Sequence, residues 1–377
     1  MRCLAFTGCL MIWAGIAGAQ TVRSIDTVPA DRQVLDVHVG GRVVIHPASG
    51  GGAAYEHQWP GVYFESRFEG QTVYLAFSDT WNEYRLLIDD LPPVTIAQPG
   101  DARLEVSDLP AGVHRLRLEK VTESIDHAAA FDGFYISANE TALPVMARAR
   151  QIEFIGDSSM SGYGNRSTTR TCTSEEIRLT TDTQQGFAAL TAKYFDADYQ
   201  INAISGRGLI RNYGGVVPDY AMSKVYPFVL LDKTVLYESH DWNPQIIMVK
   251  LNADFATPLN AGEQWSTPKT LRAEYWKAQA SFAKVLHDRY PRAALLVFVP
   301  EPADLTPEQG KEREAWERVM TQAAQKIGIA RIGFVPWHVA HLEGTACDYH
   351  GSLTDHRMLA TDLTSYIEAH SDLWQGY

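Results

Sequence analysis

A serine near the middle of the chain has the surroundings of a candidate nucleophile. Ser158 follows Gln151–Ile155, a short apolar run that predicts a buried parallel strand, and Gly156 ends that strand. Open α/β sheets place their ligand sites at the carboxyl ends of strands, which makes Ser158 a candidate nucleophile. The context is not the Gly-x-Ser-x-Gly elbow of α/β-hydrolases, because Gly156 and Met160 stand two residues before and after Ser158.

A serine nucleophile needs a base within hydrogen-bond reach. The sequence contains twelve histidines, and His350 is the favoured base because it lies on a loop just before a predicted last helix. His356 is its rival. That histidine falls on the apolar face of the same helix, which is typical of a packed histidine bonded to backbone.

The region that must position these groups begins at Gln151, where strand and helix patterns alternate. This alternation predicts an α/β domain over 151–377, with three layers around a parallel sheet. The predicted strands are Gln151–Ile155, Tyr199–Ile204, Gln245–Val249, Ala293–Val299 and Arg331–Val335. The predicted helices are Thr183–Phe195, Thr267 to Tyr290, Thr306 to before Gly328, and Ser352 to about His370.

The region before it, residues 20–141, shows many short strand patterns and few helix signals. That pattern predicts an all-β sandwich of the jelly-roll type. Residues 142–150, with Pro144 and alternating Arg and Ala, are predicted to link the two domains. Trp59 and Trp81 could stack on sugar rings if exposed, but we favour the interpretation that each fills the sandwich core.

The first 19 residues have the features of a cleaved signal peptide. Arg2 is followed by the apolar run Leu4–Ile16 and by a small-x-small cleavage site. No later stretch is long enough to span a bilayer, so we expect a secreted or periplasmic protein. Of the four cysteines, Cys172 and Cys347 remain after cleavage and are predicted to form a disulfide, with two buried free thiols as the alternative.

The charge balance limits the class of partner. A formal net charge of −12 argues against nucleic acid or an anionic membrane as partner. The histidines and acidic residues show no metal-ligand spacing, and neither a metal nor an organic cofactor is expected. The sequence does not indicate an oligomeric state.

The nucleophile segment extends into a longer motif. Gly156-Asp157-Ser158, followed by Gly162-Tyr163-Gly164-Asn165, resembles the first block of the SGNH (GDSL-like) hydrolases. More narrowly it resembles carbohydrate esterase family 2, whose acetyl xylan esterase-like members carry an N-terminal jelly-roll domain. Asp348-Tyr349-His350-Gly351 is similar to the final Asp-Trp-His-Pro block of that family, with Gly in place of the usual Pro.

The resemblance implies an oxyanion hole that uses the backbone N–H groups of Ser158 and Gly206, together with a side-chain amide. Gly206 belongs to Ser205-Gly206-Arg207-Gly208, which matches the second block of the family. The third block departs from the family's Gly-x-Asn-Asp-Phe, because Ala253 holds the position of the amide and Asn252 lies one residue earlier. Either Asn252 reaches the site through a local backbone shift, or the protein is a weak or inactive esterase.

The group that orients His350 is left open between two candidates. Typical SGNH hydrolases space acid and base as Asp-x-x-His, whereas Asp348 and His350 are separated by one residue, so their side chains diverge if the loop is extended. The resemblance implies that some members use a backbone carbonyl instead and so form a Ser-His dyad. Asp348 is then structural.

The function expected from these residues is a serine esterase that removes acetyl groups from acetylated polysaccharides or oligosaccharides of the xylan or glucomannan type. Ser158 is the predicted nucleophile and His350 the predicted base. Two alternatives remain. One is a carbohydrate-binding protein that kept the fold and lost catalysis, and the other is an esterase or lipase for small or lipid esters.

Overall fold

The computed structural model describes residues 20–48, 51–238, 241–300, 306–337 and 342–375. The predicted signal peptide, residues 1–19, therefore lies outside the described residues. Within the described ranges, no helix has both the length and the apolar character needed to cross a bilayer.

The N-terminal region forms two antiparallel sheets that face each other. Its strands are β1 (Thr21–Ile25), β2 (Gln33–Val34), β3 (His38–Gly40), β4 (Val43–Pro47), β5 (Ala53–His57), β6 (Tyr63–Gly70), β7 (Val73–Asp79), β8 (Glu83–Ile88), β9 (Val94–Ala97), β10 (Gly100–Ser107), β11 (Gly112–Lys120), β12 (Ala129–Ile136) and β13 (Thr141–Leu143). One sheet has the order β1-β10-β7-β12-β5-β4, with β2 also paired to β12. The other has β13-β6-β11-β8-β9, with β3 also paired to β6.

The space between the two sheets is filled by aromatic and aliphatic side chains. Phe131 lies 4.8 Å from Phe64 and 5.4 Å from Phe77 between ring centroids, and all three rings are fully buried. In β11, Leu116 faces this core, while its neighbour Arg115 is exposed to solvent on the opposite face of the sheet. The predicted β-sandwich is thus present.

The second region is built on a parallel sheet with the order β15-β14-β16-β17-β18. Its strands are β14 (Arg150–Gly156), β15 (Ala197–Ala203), β16 (Ile246–Lys250), β17 (Ala294–Pro300) and β18 (Ile332–Trp337). The chain leaves β14 for β15 on one side and then crosses to β16 on the other. Strand order therefore reverses at β14, and open sheets place their ligand crevice at such a point.

Helices cover both faces of this sheet. They are α1 (Ser158–Ser161), α2 (Ser174–Thr180), α3 (Phe187–Tyr194), α4 (Met222–Val225), α5 (Pro268–Arg289), α6 (Pro307–Ile327) and α7 (Leu353–Ala369). Helices α3 and α7 share one apolar cluster with the sheet, and α5 and α6 share the other. These are the three layers that the alternating pattern predicts, and the predicted fold class is confirmed.

The segment predicted as a linker is partly a strand. Residues Thr141–Leu143 pair antiparallel with β6, so the sandwich gains an edge strand before the chain enters the second region. Ala142 and Leu143 lie within the predicted linker 142–150. Pairing with an exposed sheet edge satisfies backbone groups that a free linker would leave to water.

A buried ion pair joins the two regions. Arg42, between β3 and β4, donates from Nη2 to Glu153 Oε1 at 3.1 Å, and both side chains are fully buried. Glu153 lies in β14, where the same oxygen also accepts from Asn202 at 2.6 Å and from the Tyr226 hydroxyl at 2.8 Å. The Arg42 guanidinium lies 4.1 Å from the ring centroid of Tyr237. The sandwich thus places a charged side chain, that of Arg42, in the interior of the parallel-sheet region.

Candidate active site

The candidate nucleophile begins the single turn α1 directly after β14. Asp157 caps this turn, with Oδ1 accepting from the Ser159 N–H at 3.2 Å and from the Ser159 hydroxyl at 2.7 Å. Lys250 Nζ, from the end of β16, lies 2.6 Å from Ser159 Oγ and 3.4 Å from Asp157 Oδ1. Burial acts to raise the pKa of Asp157, but the Lys250 charge and these hydrogen bonds outweigh it and keep the pKa below its usual value. The Ser159 hydroxyl is therefore occupied by its contacts with Asp157 and Lys250, whereas the Ser158 hydroxyl makes neither contact and is available for chemistry.

His350 meets the serine from a loop before α7. His350 Nε2 lies 2.8 Å from Ser158 Oγ, and Nδ1 lies 3.0 Å from the carbonyl oxygen of Cys347. A carbonyl can only accept, so Nδ1 carries the hydrogen and Nε2 is left to accept from the serine. Burial lowers the pKa of the imidazole below its usual value, although the hydrogen bond to Cys347 opposes the shift. The ring is therefore neutral and basic at the atom that faces Ser158.

Asp348 is engaged elsewhere. Its Oδ2 accepts from the Tyr163 hydroxyl at 2.8 Å, and the Tyr163 ring packs against His350 with centroids 4.4 Å apart. The loop is not extended, because Asp348 and Tyr349 both have left-handed backbone angles, with φ of 50° and 63°. Of the two orienting groups left open by the sequence, the geometry favours the carbonyl of Cys347. Tyr163 belongs to the nucleophile motif, yet sequence reasoning gave its side chain no role.

The rival histidine is packed. His356 is buried in α7, where Nδ1 accepts from the Phe187 N–H at 3.2 Å and the two rings stack with centroids 5.9 Å apart. Burial lowers the pKa of His356 to about 4, so this ring stays neutral. It contributes to the contact between α3 and α7.

Two backbone N–H groups at the ends of neighbouring strands are candidates for the oxyanion hole. Ser158 follows β14 and Gly206 follows β15, which pairs with it. Within the described ranges, neither N–H donates to a protein acceptor. Gly206 has a φ of 74°, a left-handed angle that glycine adopts without strain.

The loop that carries Gly206 is held by the third block. Asp254 is fully buried, and its carboxylate accepts from the N–H groups of Leu209, Ile210 and Arg211 at 2.7, 2.9 and 2.8 Å. A Cβ on Gly208 would come within 2.4 Å of Asp254 Oδ2, so this close approach requires glycine. Asp254 of the third block thus shapes the loop that continues from the second block.

The amide half of the third block is rearranged. Ala253, at the position where the family carries an amide, is buried, whereas the Asn252 side chain is exposed. The Asn252 N–H donates to Asp157 Oδ2 at 3.3 Å, which ties this loop to the nucleophile turn. Among the described residues, no protein group pairs with the Asn252 side chain.

The predicted disulfide Cys172–Cys347 is confirmed, with an S–S distance of 1.99 Å and Cα atoms 5.5 Å apart. It joins the segment before α2 to the turn that carries both the His350 ring and the carbonyl on which the ring rests. Gly164, in the nucleophile motif, has a φ of 58°, and a Cβ there would come within 2.9 Å of Cys347 Sγ. Gly164, the third glycine of the motif, therefore makes room for the disulfide.

Neither tryptophan singled out in the sandwich fills the sandwich core. Trp59 is buried against the parallel-sheet region, in one cluster with Ile155 and Ile204. Trp81 is partly buried and stacks on His127 with centroids 4.2 Å apart, while its indole N–H donates to the carbonyl of Glu123 at 3.2 Å. Trp59 is therefore an interface residue, and Trp81 is occupied by protein contacts.

A group of potential metal ligands lies away from this site. His38, Glu65 and Asp198 place one ligand atom each within 4.8 Å of one another. Their carboxylates are already bound by arginines, since Arg148 lies 2.7 Å from Glu65 and 2.9 Å from Asp198, and Arg117 lies 2.5 Å from Glu65. This arrangement is an ion-pair network between the two regions.

The chain is similar to known proteins over most of its length. A family model described as carbohydrate esterase 2 N-terminal matches residues 39–145. An acetylxylan esterase/glucomannan deacetylase of Cellvibrio japonicus is 39% identical over 341 residues, which are 90% of this chain and 92% of that protein.

Solved structures lead to the same group of proteins. One is a carbohydrate esterase whose active site displays divergent catalytic and non-catalytic binding functions. It is 37% identical, with a TM-score of 0.82 over 91% of this chain and 100% of that one. A family two carbohydrate esterase from Clostridium thermocellum, in complex with cellohexaose, is 24% identical and shares the fold. Its TM-score is 0.71 over 90% of this chain and 100% of that one.

Proposed function

This chain belongs to carbohydrate esterase family 2, a family of carboxylic ester hydrolases, and we propose that it removes O-acetyl groups from polysaccharides of the xylan or glucomannan type outside the cytoplasm. The observation that carries the proposal is the 2.8 Å contact between Ser158 Oγ and His350 Nε2, on a ring whose other nitrogen is held by Cys347. A positioned serine and a neutral imidazole are the groups that acyl transfer requires.

The proposed reaction has two halves. Ser158 Oγ attacks the acetyl carbonyl while its proton passes to His350 Nε2, and the C–O bond to the sugar breaks as that proton reaches the departing sugar oxygen. A water molecule then gives a proton to Nε2 and attacks the acetyl-serine, which releases acetate and restores the Ser158 hydroxyl. Cys347 holds the imidazolium that forms in each half.

The negative charge of each tetrahedral intermediate needs hydrogen-bond donors. In our proposal these are the N–H groups of Ser158 and Gly206, with the Asn252 amide as the third. The Asn252 backbone N–H donates to Asp157 Oδ2 at 3.3 Å, and this contact, which places the residue beside the nucleophile turn, supports the role. Loss of one such donor costs about 10²–10³ in turnover in related chemistry, so the third donor decides whether the enzyme is fast or slow.

Features beside the dyad support a carbohydrate substrate. Tyr349, next to His350, is 74% exposed, and Tyr213, next to the Gly206 loop, is 56% exposed. Such rings can cover the apolar faces of sugars while their hydroxyls bond to sugar hydroxyls. A cavity of about 510 Å³ between the two regions is lined by Arg207 and Tyr220 on one side and Asp126 on the other. Both regions therefore contribute to a surface where a glycan could lie.

The test is acetate release from acetylated xylan and acetylated glucomannan by the mature protein, compared with hydrolysis of longer acyl esters. We expect release from the polysaccharides and little activity on the longer esters. A protein that binds these polysaccharides without releasing acetate is the carbohydrate-binding alternative. Preference for longer acyl chains is the small-ester or lipid esterase alternative.

Variants assign the residues. Ser158→Ala and His350→Ala should lose acetate release while keeping the thermal unfolding temperature of the wild type, because neither side chain is part of the core. Ser159→Ala and His356→Ala are the matched controls, and we expect them to lose stability rather than chemistry. An active Ser158→Ala beside an inactive Ser159→Ala would show that the nucleophile is misassigned.

A further inference from the structure

We propose that Glu123, a residue of the sandwich, is a positioning residue for esterase catalysis: it holds Ser205 and thereby sets the direction of the Gly206 N–H. The inference rests on the proposed oxyanion hole. It assigns to the N-terminal region a part in the chemical step, in addition to any role in binding the glycan.

Glu123 contacts Ser205 through both of its carboxylate oxygens. Glu123 Oε1 accepts from the Ser205 N–H at 2.7 Å, and Oε2 accepts from the Ser205 hydroxyl at 2.5 Å. Both oxygens of one carboxylate thus grip a single residue, and charge-assisted bonds of this kind are roughly twice as strong as neutral ones. Ser205 directly precedes Gly206, so fixing its backbone and side chain limits the rotation of the next peptide N–H.

The same contact reaches the nucleophile turn. Ser205 Oγ lies 3.1 Å from Ser161 Oγ, and Ser161 Oγ lies 3.1 Å from the carbonyl oxygen of Ser158. An ionised Glu123 can only accept, so the Ser205 hydroxyl hydrogen points to it, and the single Ser161 hydroxyl hydrogen is donated to the Ser158 carbonyl. Ser205 is therefore in polar contact both with the Glu123 carboxylate and with the nucleophile turn.

The loop that carries Glu123 is itself fixed. The Trp81 indole N–H donates to the Glu123 carbonyl at 3.2 Å. On either side of it, the Val121 N–H donates to the Glu83 carbonyl at 2.8 Å, and the buried Lys120 ammonium donates to Ser124 Oγ at 2.6 Å. A carboxylate on such a loop can act as a rigid anchor, which a carboxylate on a free surface loop could not do.

The carboxylate of Glu123 lies where burial opposes its charge. Burial raises the pKa of Glu123, with the Ser205 hydrogen bonds and the charges of Lys120 and Arg207 acting against that shift. The raised pKa means that burial destabilises the ionised carboxylate by more free energy than these partners restore, and a neutral side chain would avoid that cost. A buried Glu123 carboxylate that binds the loop of the oxyanion hole, in spite of this cost, is consistent with a role in positioning that loop for catalysis.

The decisive comparison uses Glu123→Ala, Glu123→Gln and a control, Glu83→Ala. Glu83 also lies in the sandwich and bridges to the other region, where its carboxylate pairs with Arg166 at 2.9 Å, but it does not touch Ser205. For each variant, kcat and KM are measured on an acetylated oligosaccharide, together with the thermal unfolding temperature and the rate at which an alkyl phosphonate ester labels Ser158. The phosphonate forms a tetrahedral adduct and so reports on the hole itself.

We expect Glu123→Ala to lower kcat by about 10- to 100-fold with little change in KM, since the oxyanion bond forms mainly in the transition state. The phosphonate labelling rate should fall in parallel. Glu123→Gln can still accept from the Ser205 N–H, and we expect it to recover most of kcat. Glu83→Ala should keep the kcat of the wild type and lose only thermal stability.

A wild-type kcat in Glu123→Ala would overturn the inference, as would an equal loss of kcat in Glu123→Ala and Glu83→Ala. If Glu123→Ala does not fold, Ser205→Ala decides, because it removes the hydroxyl contact and should lower kcat several-fold. An unchanged kcat there overturns the inference too. An inactive wild type would instead refute the esterase function from which the inference starts.

Discussion

The clearest test of the site concerns Asp348, because the sequence leaves it as one of two candidates to orient His350, and His350 Nδ1 lies 3.0 Å from the other, the Cys347 carbonyl. In serine proteases, changing the triad aspartate to asparagine lowers kcat about 10⁴-fold, because the histidine is then held in the wrong tautomer. Here His350 Nδ1 is 3.0 Å from a carbonyl oxygen, which Asp348→Asn leaves in place. Asparagine also tolerates the left-handed backbone at this position, where φ is 50°.

The remaining effect of this substitution can be bounded. The amide oxygen that Asp348→Asn introduces can still accept from the Tyr163 hydroxyl, which the carboxylate binds at 2.8 Å, so we expect kcat to fall less than about threefold. Asp348→Ala removes that bond, which stabilises by about 1 kcal/mol, so the loss should stay near fivefold even if all of it appears in the transition state. The assay is steady-state acetate release, with circular dichroism to confirm folding. A 10³-fold or larger loss in Asp348→Asn would show that the carboxylate orients the base after all.

Three further predictions concern the same site. Asn252→Ala should lower kcat about 10²-fold with little change in KM if its amide is the third oxyanion donor, whereas a silent substitution in acetate-release assays would leave a two-donor hole. The pH profile of kcat/KM should have an acid limb with its midpoint below 6.5, because burial lowers the pKa of His350 and the ring must be neutral to act; a midpoint above 6.5 would contradict the assigned base. Cys172→Ser should lower stability by up to about 5 kcal/mol in the chain-entropy model for a loop of 175 residues. It should also lower kcat, because Cys347 carries the carbonyl that holds His350. Both effects are checked by measuring thermal unfolding and turnover on the same preparation, with wild type treated with a reductant as the comparison. A wild-type kcat in Cys172→Ser would refute the expected effect on catalysis.

The architecture follows from local sequence signals, namely apolar strand patterns and helix caps. Apolar β-branched runs such as Gln151–Ile155 lie buried in the parallel sheet. The caps at Thr267 and Ser352 start helices as predicted, each with a complete capping box. These signals are local, and tertiary packing does not override them. The predicted Thr183–Phe195 helix is divided at Gly186 into a short 3₁₀ turn and α3, because the buried Asp182 caps only the first part.

The site was predictable to the extent that motifs name its members. Ser158, His350 and Gly206 could be chosen from sequence, and the structure brings the first two within 2.8 Å. The choice between Asp348 and a carbonyl could not be made, because it depends on two consecutive left-handed residues that lack the glycine signal. The contact of Glu123 with Ser205 spans 82 residues and two domains, and no spacing rule reports such a pairing.

The ion pair between Arg42 and Glu153 bears on how this protein can be cut and recombined. Both side chains are fully buried, so removing the sandwich would leave Glu153 inside the parallel-sheet region without its counter-charge. Breaking a buried pair in this way costs roughly 3–5 kcal/mol, a large part of the stability of an ordinary domain. We therefore expect one cooperative unfolding transition rather than two. We also expect that the sandwich does not work as an independent module, and that a fusion or truncation stays folded only when it keeps both regions together.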